Sequence, residues 1–388
     1  MSKTILHSLW IALFLGCFCI GAAAQETTGG IEGSVVDPAG AVVPNITISI
    51  ANARTSASGT TTTGVGSGFR RTITSNAEGF FRAIQIPPGS YTITTAASAG
   101  FGETRYENIA VSIGQVTQLS ITVTPGGNVT TVDVAASDLP PVDTTSNAIQ
   151  TSITAQRIEL LPKGTGFTSI LKSVPGTRPE SRTGGFTVDG ASGGENVFVI
   201  DGLEVTNYRT GTLNDTFDIP TQLVQEVQVK SSGFEAAYGG ATGGVISVVT
   251  RGGNNQVHGE FGMQVEDPRL NGDPRQVLTR FTSGTVSAGT FNQFAEYFQP
   301  VKATGINYFP TANLSGPIIK DRLWAYGSYS PQFLNTGVDT QYFTNAPAAT
   351  RTFIASQRYR RETVYEYAFA RLDGNPLDNL RLTGTFLW

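Results

Sequence analysis

Very few residues of this sequence have the types that nucleophilic or metal-dependent chemistry requires. It contains two cysteines, Cys17 and Cys19, and two histidines, of which His258 lies far from the amino terminus. Both cysteines fall in a leading segment that we expect to be removed. The remaining chain would then lack the thiols for a disulfide framework, a cysteine-rich zinc site or a cysteine nucleophile. A single histidine also argues against a Ser-His-Asp site.

Asp189, Asp201 and Glu204 are the remaining candidates for acid–base chemistry. An active site would need a partner base or a set of metal ligands around them, and the sequence offers neither. Asp201 precedes Gly202, and this pair is typical of a turn because aspartate bonds its own backbone and glycine accepts a positive φ. The sequence therefore predicts a protein that is not an enzyme, with no catalytic residues, no metal site and no cofactor.

Residues 1–24 have the pattern of a secretory signal peptide. Lys3 precedes an apolar run from Leu9 to Ile20, and Ala22-Ala23-Ala24 supplies a small-residue cleavage site. A membrane anchor is the alternative, but a span needs about 20 apolar residues and this run is shorter. Lipid attachment at Cys17 is disfavoured because the residues before it make a poor lipoprotein motif. We therefore predict cleavage after Ala24.

The composition favours a β-rich envelope protein over a cytosolic enzyme. Of 388 residues, 45 are glycine, 10% are aromatic and only 14% are charged. The formal net charge is −4 and no basic block is present, which argues against nucleic acid as a partner. A chain of this length suits about two to four domains.

Residues 31–125 alternate short strands with turns. Ile46, Ile48 and Ile50 share one face of a strand, and turn sequences recur at regular spacing. This arrangement is typical of a β-sandwich. The Ser/Thr/Gly-rich stretch from Thr55 to Gly68 is predicted to be a flexible loop within it.

Residues 147–253 combine short helices with strands, which predicts an α+β domain. The predicted helices are Thr154 to Pro162 and Thr168 to Val174. From Val224 to Gly253, a strand that alternates valine with polar residues leads through a glycine-rich turn to a β-branched run. Period-two runs separated by glycine clusters predict strands joined by tight turns. Gln228 and Lys230 lie on the polar face of the first of these strands.

Beyond the glycine-rich stretch the strands become aromatic. The runs Val257 to Glu266, Val364 to Arg371 and Leu380 to Trp388 place apolar and polar residues on opposite faces. Apolar-out, polar-in alternation with aromatic ends predicts strands of an outer-membrane barrel, and it assigns Tyr367 and Phe369 to the lipid-facing side. The alternative is a soluble antiparallel sheet with one buried face.

Several motifs resemble TonB-dependent outer-membrane receptors. The end of their plug domain is similar to Glu235-Ala236-Ala237-Tyr238-Gly239-Gly240 followed by Val249-Thr250-Arg251-Gly252-Gly253-Asn254, with VFVIDG at residues 197–202 upstream. The pattern GSVVDPAGAVVPNITI, with NAEGFF and IPPGSYTI after it, resembles the carboxypeptidase-regulatory-like domain. That domain is a transthyretin-like sandwich and is sometimes grouped with carbohydrate-binding folds. Both features together resemble the Oar-like group of these receptors.

The resemblance implies a sandwich at 31–125, a linker at 126–146, a plug at 147–253 and the first strands of an incomplete antiparallel β-barrel at 254–388. It gives the plug signature a structural role. The signature residues are Asp201, Gly202, Tyr238 and Gly239.

A binding site for an energy-coupling protein is also implied. In such receptors a β-prone segment before the plug pairs as an added strand with a TonB-type protein of the inner membrane. Main-chain hydrogen bonds supply the affinity of this mode of binding. An ordinary linker strand is the alternative interpretation. The candidate residues are Val129, Thr130, Thr131, Val132, Asp133, Val134 and Ala135.

Length does not fit a complete receptor. Transporters of this kind are plugged barrels of about 22 strands, whereas the residues after Gly253 allow about half a dozen crossings at about 9–11 residues each. We therefore expect the chain to be the amino-terminal part of a longer receptor.

The leading hypothesis is an energised outer-membrane importer with its amino-terminal domain in the periplasm. Its partners would be the coupling protein, membrane lipid and a solute such as an oligosaccharide or an iron chelate. The alternative is a surface adhesion or structural protein that binds carbohydrate through the sandwich, although the sequence shows no aromatic platform for sugar. A hydrolase is disfavoured by the single histidine.

Overall fold

The computed structural model describes residues 27–52, 69–97, 100–126, 130–133, 147–234, 238–283, 292–344, 351–377 and 380–388. The expected signal peptide and the insertion from Thr55 to Gly68 lie outside these ranges. The described chain is mostly β and forms two compact units. Within these ranges, none of the helices has the length and apolarity needed to span a membrane. The first unit contains the residues up to Gln256, Pro317–Trp324 and Asp373–Thr383, and the second contains Val257–Gly316, Ala325–Leu372 and Gly384–Trp388.

The amino-terminal domain of the first unit is a β-sandwich. Its strands are β1 (Gly29–Val36), β2 (Thr47–Asn52), β3 (Arg70–Thr74), β4 (Phe80–Ile86), β5 (Gly89–Thr95), β6 (Thr104–Val111), β7 (Val116–Thr122) and β8 (Thr130–Asp133). One sheet has the order β4-β1-β7 and the other β3-β2-β5-β6-β8. Ile48 and Ile50 of β2 are fully buried in the core between them, as the alternation predicted.

The second domain of this unit contains the elements β9 (Ile149–Thr154), α1 (Ala155–Leu160), α2 (Thr168–Leu171), β10 (Thr177–Pro179), β11 (Phe186–Val188), β12 (Val197–Ile200), β13 (Leu203–Glu204), β14 (Val224–Ser232) and β15 (Val245–Thr250). Five of these strands form a sheet of order β13-β12-β15-β14-β9, and β10 pairs with β11. β15 runs parallel to β12 and antiparallel to β14. α2 is shorter than predicted. It tightens after Leu171 into turns in which Val174 N–H bonds the Leu171 carbonyl, because the residue before Pro175 is disfavoured in the α conformation.

The remaining strands form an open sheet of seven strands and a separate hairpin. They are β16 (His258–Glu266), β17 (Val277–Ser283), β18 (Asn292–Phe298), β19 (Asn307–Ile319), β20 (Leu323–Tyr329), β21 (Gln332–Phe343), β22 (Phe353–Tyr365), β23 (Ala368–Leu377) and β24 (Leu380–Leu387). The sheet has the order β22-β21-β19-β20-β23-β24, and β16 pairs with β19. β16 pairs antiparallel with β19, and β21 pairs antiparallel with β22. β17 and β18 make the hairpin.

The apolar face of this sheet is exposed in some strands and buried in others. Phe261 of β16 is 78% exposed and Phe386 of β24 is 63% exposed, as expected for side chains that face lipid. The prediction for Tyr367 and Phe369 is wrong, because both are buried. The strand is interrupted between β22 and β23, and the Phe369 ring packs edge-on against buried Tyr326 with centroids 6.0 Å apart.

Candidate functional site

The centre of the predicted coupling segment is a strand of the sandwich. β8 pairs in parallel with β6, with Thr130 opposite Thr104 and Asp133 opposite Glu107. It is the outer strand of its sheet. The flanking residues Val129, Val134 and Ala135 lie outside the described residues. An outer strand presents main-chain groups to which one further extended chain can bind.

Asp201 and Gly202 form the turn between β12 and β13. Their φ angles are 48° and 82°, and Ile200 pairs directly with Leu203 across the turn. Positive φ at both central residues is the geometry of a type I′ hairpin. The Asp201 carboxylate bonds a residue far along the sequence. It accepts hydrogen bonds from the Thr250 N–H at 2.9 Å and hydroxyl at 2.6 Å, and so fastens the turn to the end of β15.

We expect the substitution Asp201→Ala to destabilise the plug by about 2–4 kcal/mol. It removes both bonds to Thr250 and leaves a residue with Cβ but no polar group in the left-handed region. Asp201→Asn, which tolerates that region, should lose less. Hydrogen-exchange mass spectrometry of residues 197–205 and 245–250 in increasing urea would measure both losses. Equal protection in the Ala variant and the wild type would contradict the assigned role.

Tyr238 closes one end of the plug sheet. It is 5% exposed and packs against Val197, Val199 and Val245. The Nζ atom of Lys230, itself buried, lies 4.9 Å from the centroid of the Tyr238 ring. A cation over an aromatic face is stabilised by the ring quadrupole, and more strongly where water is excluded. Tyr238 therefore both fills the core and solvates a buried charge.

The next residue of the signature, Gly239, is not constrained by its surroundings. A Cβ added there would meet no atom within 4 Å. Gly240 has a φ of 90°, so it is the residue of this pair that needs glycine.

Sequence reasoning missed Glu180, which organises the loop before β12. Its Oε2 atom accepts from the Thr183 hydroxyl at 2.6 Å, the Gly193 N–H at 2.7 Å and the Ser192 hydroxyl at 3.2 Å. These bonds, with that from Thr183 the largest, lower the pKa of Glu180. Only the surrounding glycine and hydroxyl residues could have indicated such a carboxylate, and they are common in any loop.

Asn255 fixes the chain where it leaves the plug. Its side-chain oxygen accepts from the Trp324 indole N–H at 2.7 Å and from the Asp321 N–H at 2.9 Å, and its amide donates to the Asp321 carboxylate at 2.7 Å. Asp321 lies in the turn between β19 and β20, with a φ of 62°. The residue after the predicted signature therefore binds this turn.

Of the acidic residues considered for chemistry, Asp189 and Asp201 lie in turns and Glu204 lies in β13. Asp189, with a φ of 47°, and Gly190 make a second Asp-Gly turn, and the Asp189 N–H donates to the Gly176 carbonyl at 3.0 Å. In the part of the chain that the structure describes, no group of three or more His, Cys, Asp or Glu side chains could hold a metal ion.

Comparison with known families matches both amino-terminal domains. Residues 30–124 match the carboxypeptidase regulatory-like domain, and residues 141–245 match the TonB-dependent receptor plug domain. The TonB-dependent transporter Oar of Myxococcus xanthus is 27% identical over 277 residues, which are 68% of this chain and 24% of that protein. The chain thus spans about a quarter of the length of this relative.

Solved outer-membrane proteins are similar at low identity. The outer membrane transporter YddB from Escherichia coli has a TM-score of 0.41 and 17% identity, over 61% of this chain and 32% of that chain. The siderophore receptor PirA from Acinetobacter baumannii has a TM-score of 0.36 and 15% identity, over 62% of this chain and 33% of that chain.

A plug domain followed by antiparallel strands with exposed apolar side chains defines the class of outer-membrane receptors that carry a plug, and these are not enzymes. The chain is accordingly an outer-membrane protein. The chain carries a carboxypeptidase regulatory-like domain followed by a TonB-dependent receptor plug domain, and it is similar to the TonB-dependent transporter Oar.

Proposed function

We propose that the chain is the amino-terminal part of an importer that carries a solute across the outer membrane, energised by a TonB-type protein of the inner membrane. The position of β8 is the observation that supports this proposal. The segment is in β conformation at the outer edge of a sheet and precedes the plug. The sandwich then lies in the periplasm, where the coupling protein can reach it.

We expect force applied to this segment to reach the plug at β9, the next described element along the chain. The chain continues from β8 into β9, which is the outer strand of the plug sheet and pairs antiparallel with β14. An outer strand has one neighbour, so β9 can be drawn away while the pairing of β14 with β15 is kept. Removal of β9 would loosen the plug at one side and open a path for solute. An oligosaccharide and an iron chelate are the solute classes to test.

Deletion of residues 129–135 from the complete receptor should reduce uptake to background and leave solute binding at the wild-type level. The deletion removes the segment that the coupling protein pulls and none of the described plug residues. Uptake of labelled solute by whole cells, with binding measured on de-energised cells, separates the two effects. A deletion of the same length within Thr55 to Gly68 is the matched control. Unchanged uptake after the first deletion would contradict the proposal.

A further inference from the structure

The sandwich contacts the plug through the turn between β6 and β7. Ile113 at the tip of this turn is fully buried. Its backbone N–H donates to Oε1 of Glu226 at 3.3 Å, and its carbonyl accepts from the side-chain amide of Gln228. Both partners belong to β14, and no sheet among the described strands is shared by the two domains. Two plug side chains therefore hold the backbone of one sandwich residue.

The plug surface that contacts this turn is a polar face of β14, which the plug would otherwise expose to water. Glu226 and Gln228 lie on the same face of β14, and both are 0% exposed. Ser152 of β9 borders them, with its hydroxyl 3.5 Å from the Gln228 amide nitrogen. A buried carboxylate is costly unless it is paired with a cation or neutral. The charge state of Glu226 therefore bears directly on this contact.

The charged groups of the surrounding elements are engaged elsewhere. On β14 itself, the ammonium of Lys230 lies over an aromatic ring. The guanidinium of Arg251, which follows β15, pairs with Glu159 of α1 at 3.3 Å, and Arg157 of α1 is exposed. The turn Ser112–Gln115, β9 and β15 contain no titratable side chain. Burial is the largest influence on the charge state of Glu226.

We propose that Glu226 is a protonation-controlled latch that holds the sandwich turn on the plug sheet. With a neutral carboxyl, the face of β14 accepts the Ile113 backbone in a dry contact. With an ionised carboxyl, the group needs water, and separation of the turn from β14 admits it. The latch deepens the proposed function and rests on it, because it closes beside β9, the strand into which the coupling segment leads. An open latch frees the sandwich from β14, the strand from which β9 must separate.

Burial raises the pKa of Glu226 to about 7, and hydrogen bonds from Ser152, the Ile113 N–H and Ser112 oppose this with smaller effect. The direction in which docking changes with pH follows from the difference between the pKa values of Glu226 in the docked and the separated states. Below the ordinary carboxyl pKa the group is neutral in both states and docking is strongest, and docking weakens as the pH rises to about 7. We expect the docking constant to fall by a factor on the order of 50 between about pH 5 and pH 8.

Distances between spin labels on the two domains test the latch in the full chain in detergent. Labels at Ser120→Cys on β7 and Gln156→Cys on α1 occupy exposed positions, with Cys17 and Cys19 changed to serine. Pulsed dipolar spectroscopy should give one narrow distance at about pH 5 and a growing longer population towards pH 8. Glu226→Gln, which cannot ionise, should keep the narrow distance throughout, and the exposed control Glu78→Gln should respond as the wild type does.

Two results would overturn the latch: a distribution that does not change with pH while Glu226 is present, or a full pH response in Glu226→Gln. The first needs no substitution at Glu226, so a folding defect of that variant cannot mask the answer. Neither measurement involves uptake or the coupling protein. A coupling segment that proves dispensable would therefore disprove the proposed function and leave the latch result standing.

Discussion

Uptake by the complete receptor should fall to background when β8 is cross-linked to β6, and it should return when the link is reduced. Glu107→Cys and Asp133→Cys place thiols at partner positions of the two strands, and a short bis-methanethiosulfonate reagent joins them reversibly. The reason is competition for main-chain groups. Under the proposed mechanism, β8 pairs with the coupling protein and carries load into β9, and it cannot do so while it is covalently held on the sandwich.

A cross-link elsewhere in the sandwich separates this effect from general stiffening. Ser49→Cys and Thr94→Cys are partners on β2 and β5, and joining them fixes the same domain without touching β8. Uptake of labelled solute should be unaffected there, and each single cysteine variant should also transport normally. If the β6–β8 link left uptake intact, the coupling protein would have to pair with the outer edge of β8 while β8 stays bound to β6. The separation of β8 from β6 would then not be a step of transport.

Alternation in the sequence was sufficient where a strand is regular and one of its faces is buried. β2 is such a strand. Alternation in the sequence does not reveal β6, because Asn108 has a φ of 62° and the pairing of β5 with β6 shifts register beside it. The buried residues Tyr106, Ile109 and Val111 are therefore three and then two positions apart, which no period of two describes. β3 was also missed, since as an outer strand it has no fully buried residue.

The candidate site was less predictable than the fold, because contacts between residues far apart in sequence define it. The sequence placed Gln228 and Lys230 on a polar face, which is correct, yet the structure buries that face. Its cover, Ile113, lies more than a hundred residues earlier. The plug motif VFVIDG shows that Asp201 makes a turn, but only the fold brings Thr250 to its carboxylate. Tyr367 and Phe369 were misplaced for the same reason, since the strand break at Glu366 and Tyr367 has no sequence marker.

Tyr238→Ala should have the largest effect on stability of any single change in the plug signature, about 3–5 kcal/mol. That is the usual cost of removing a buried aromatic side chain and leaving a cavity, and here the ring also faces the ammonium of Lys230. Without the ring, a buried cation loses part of its stabilisation, and water must enter or the lysine must leave the core. Tyr238→Phe keeps the ring over Lys230 and should cost far less.

Tyr208→Ala is the matched control, because Tyr208 lies in the same domain but is 84% exposed. Its loss should change stability by less than about 0.5 kcal/mol. Hydrogen-exchange protection of β12 and β15, measured for the full chain in increasing urea, reports the plug core separately from the sandwich. The double substitution Tyr238→Ala with Lys230→Met then isolates the charge. If the ring solvates Lys230, removing the ammonium should recover part of the loss, whereas an unchanged loss would reduce Tyr238 to a core-filling residue.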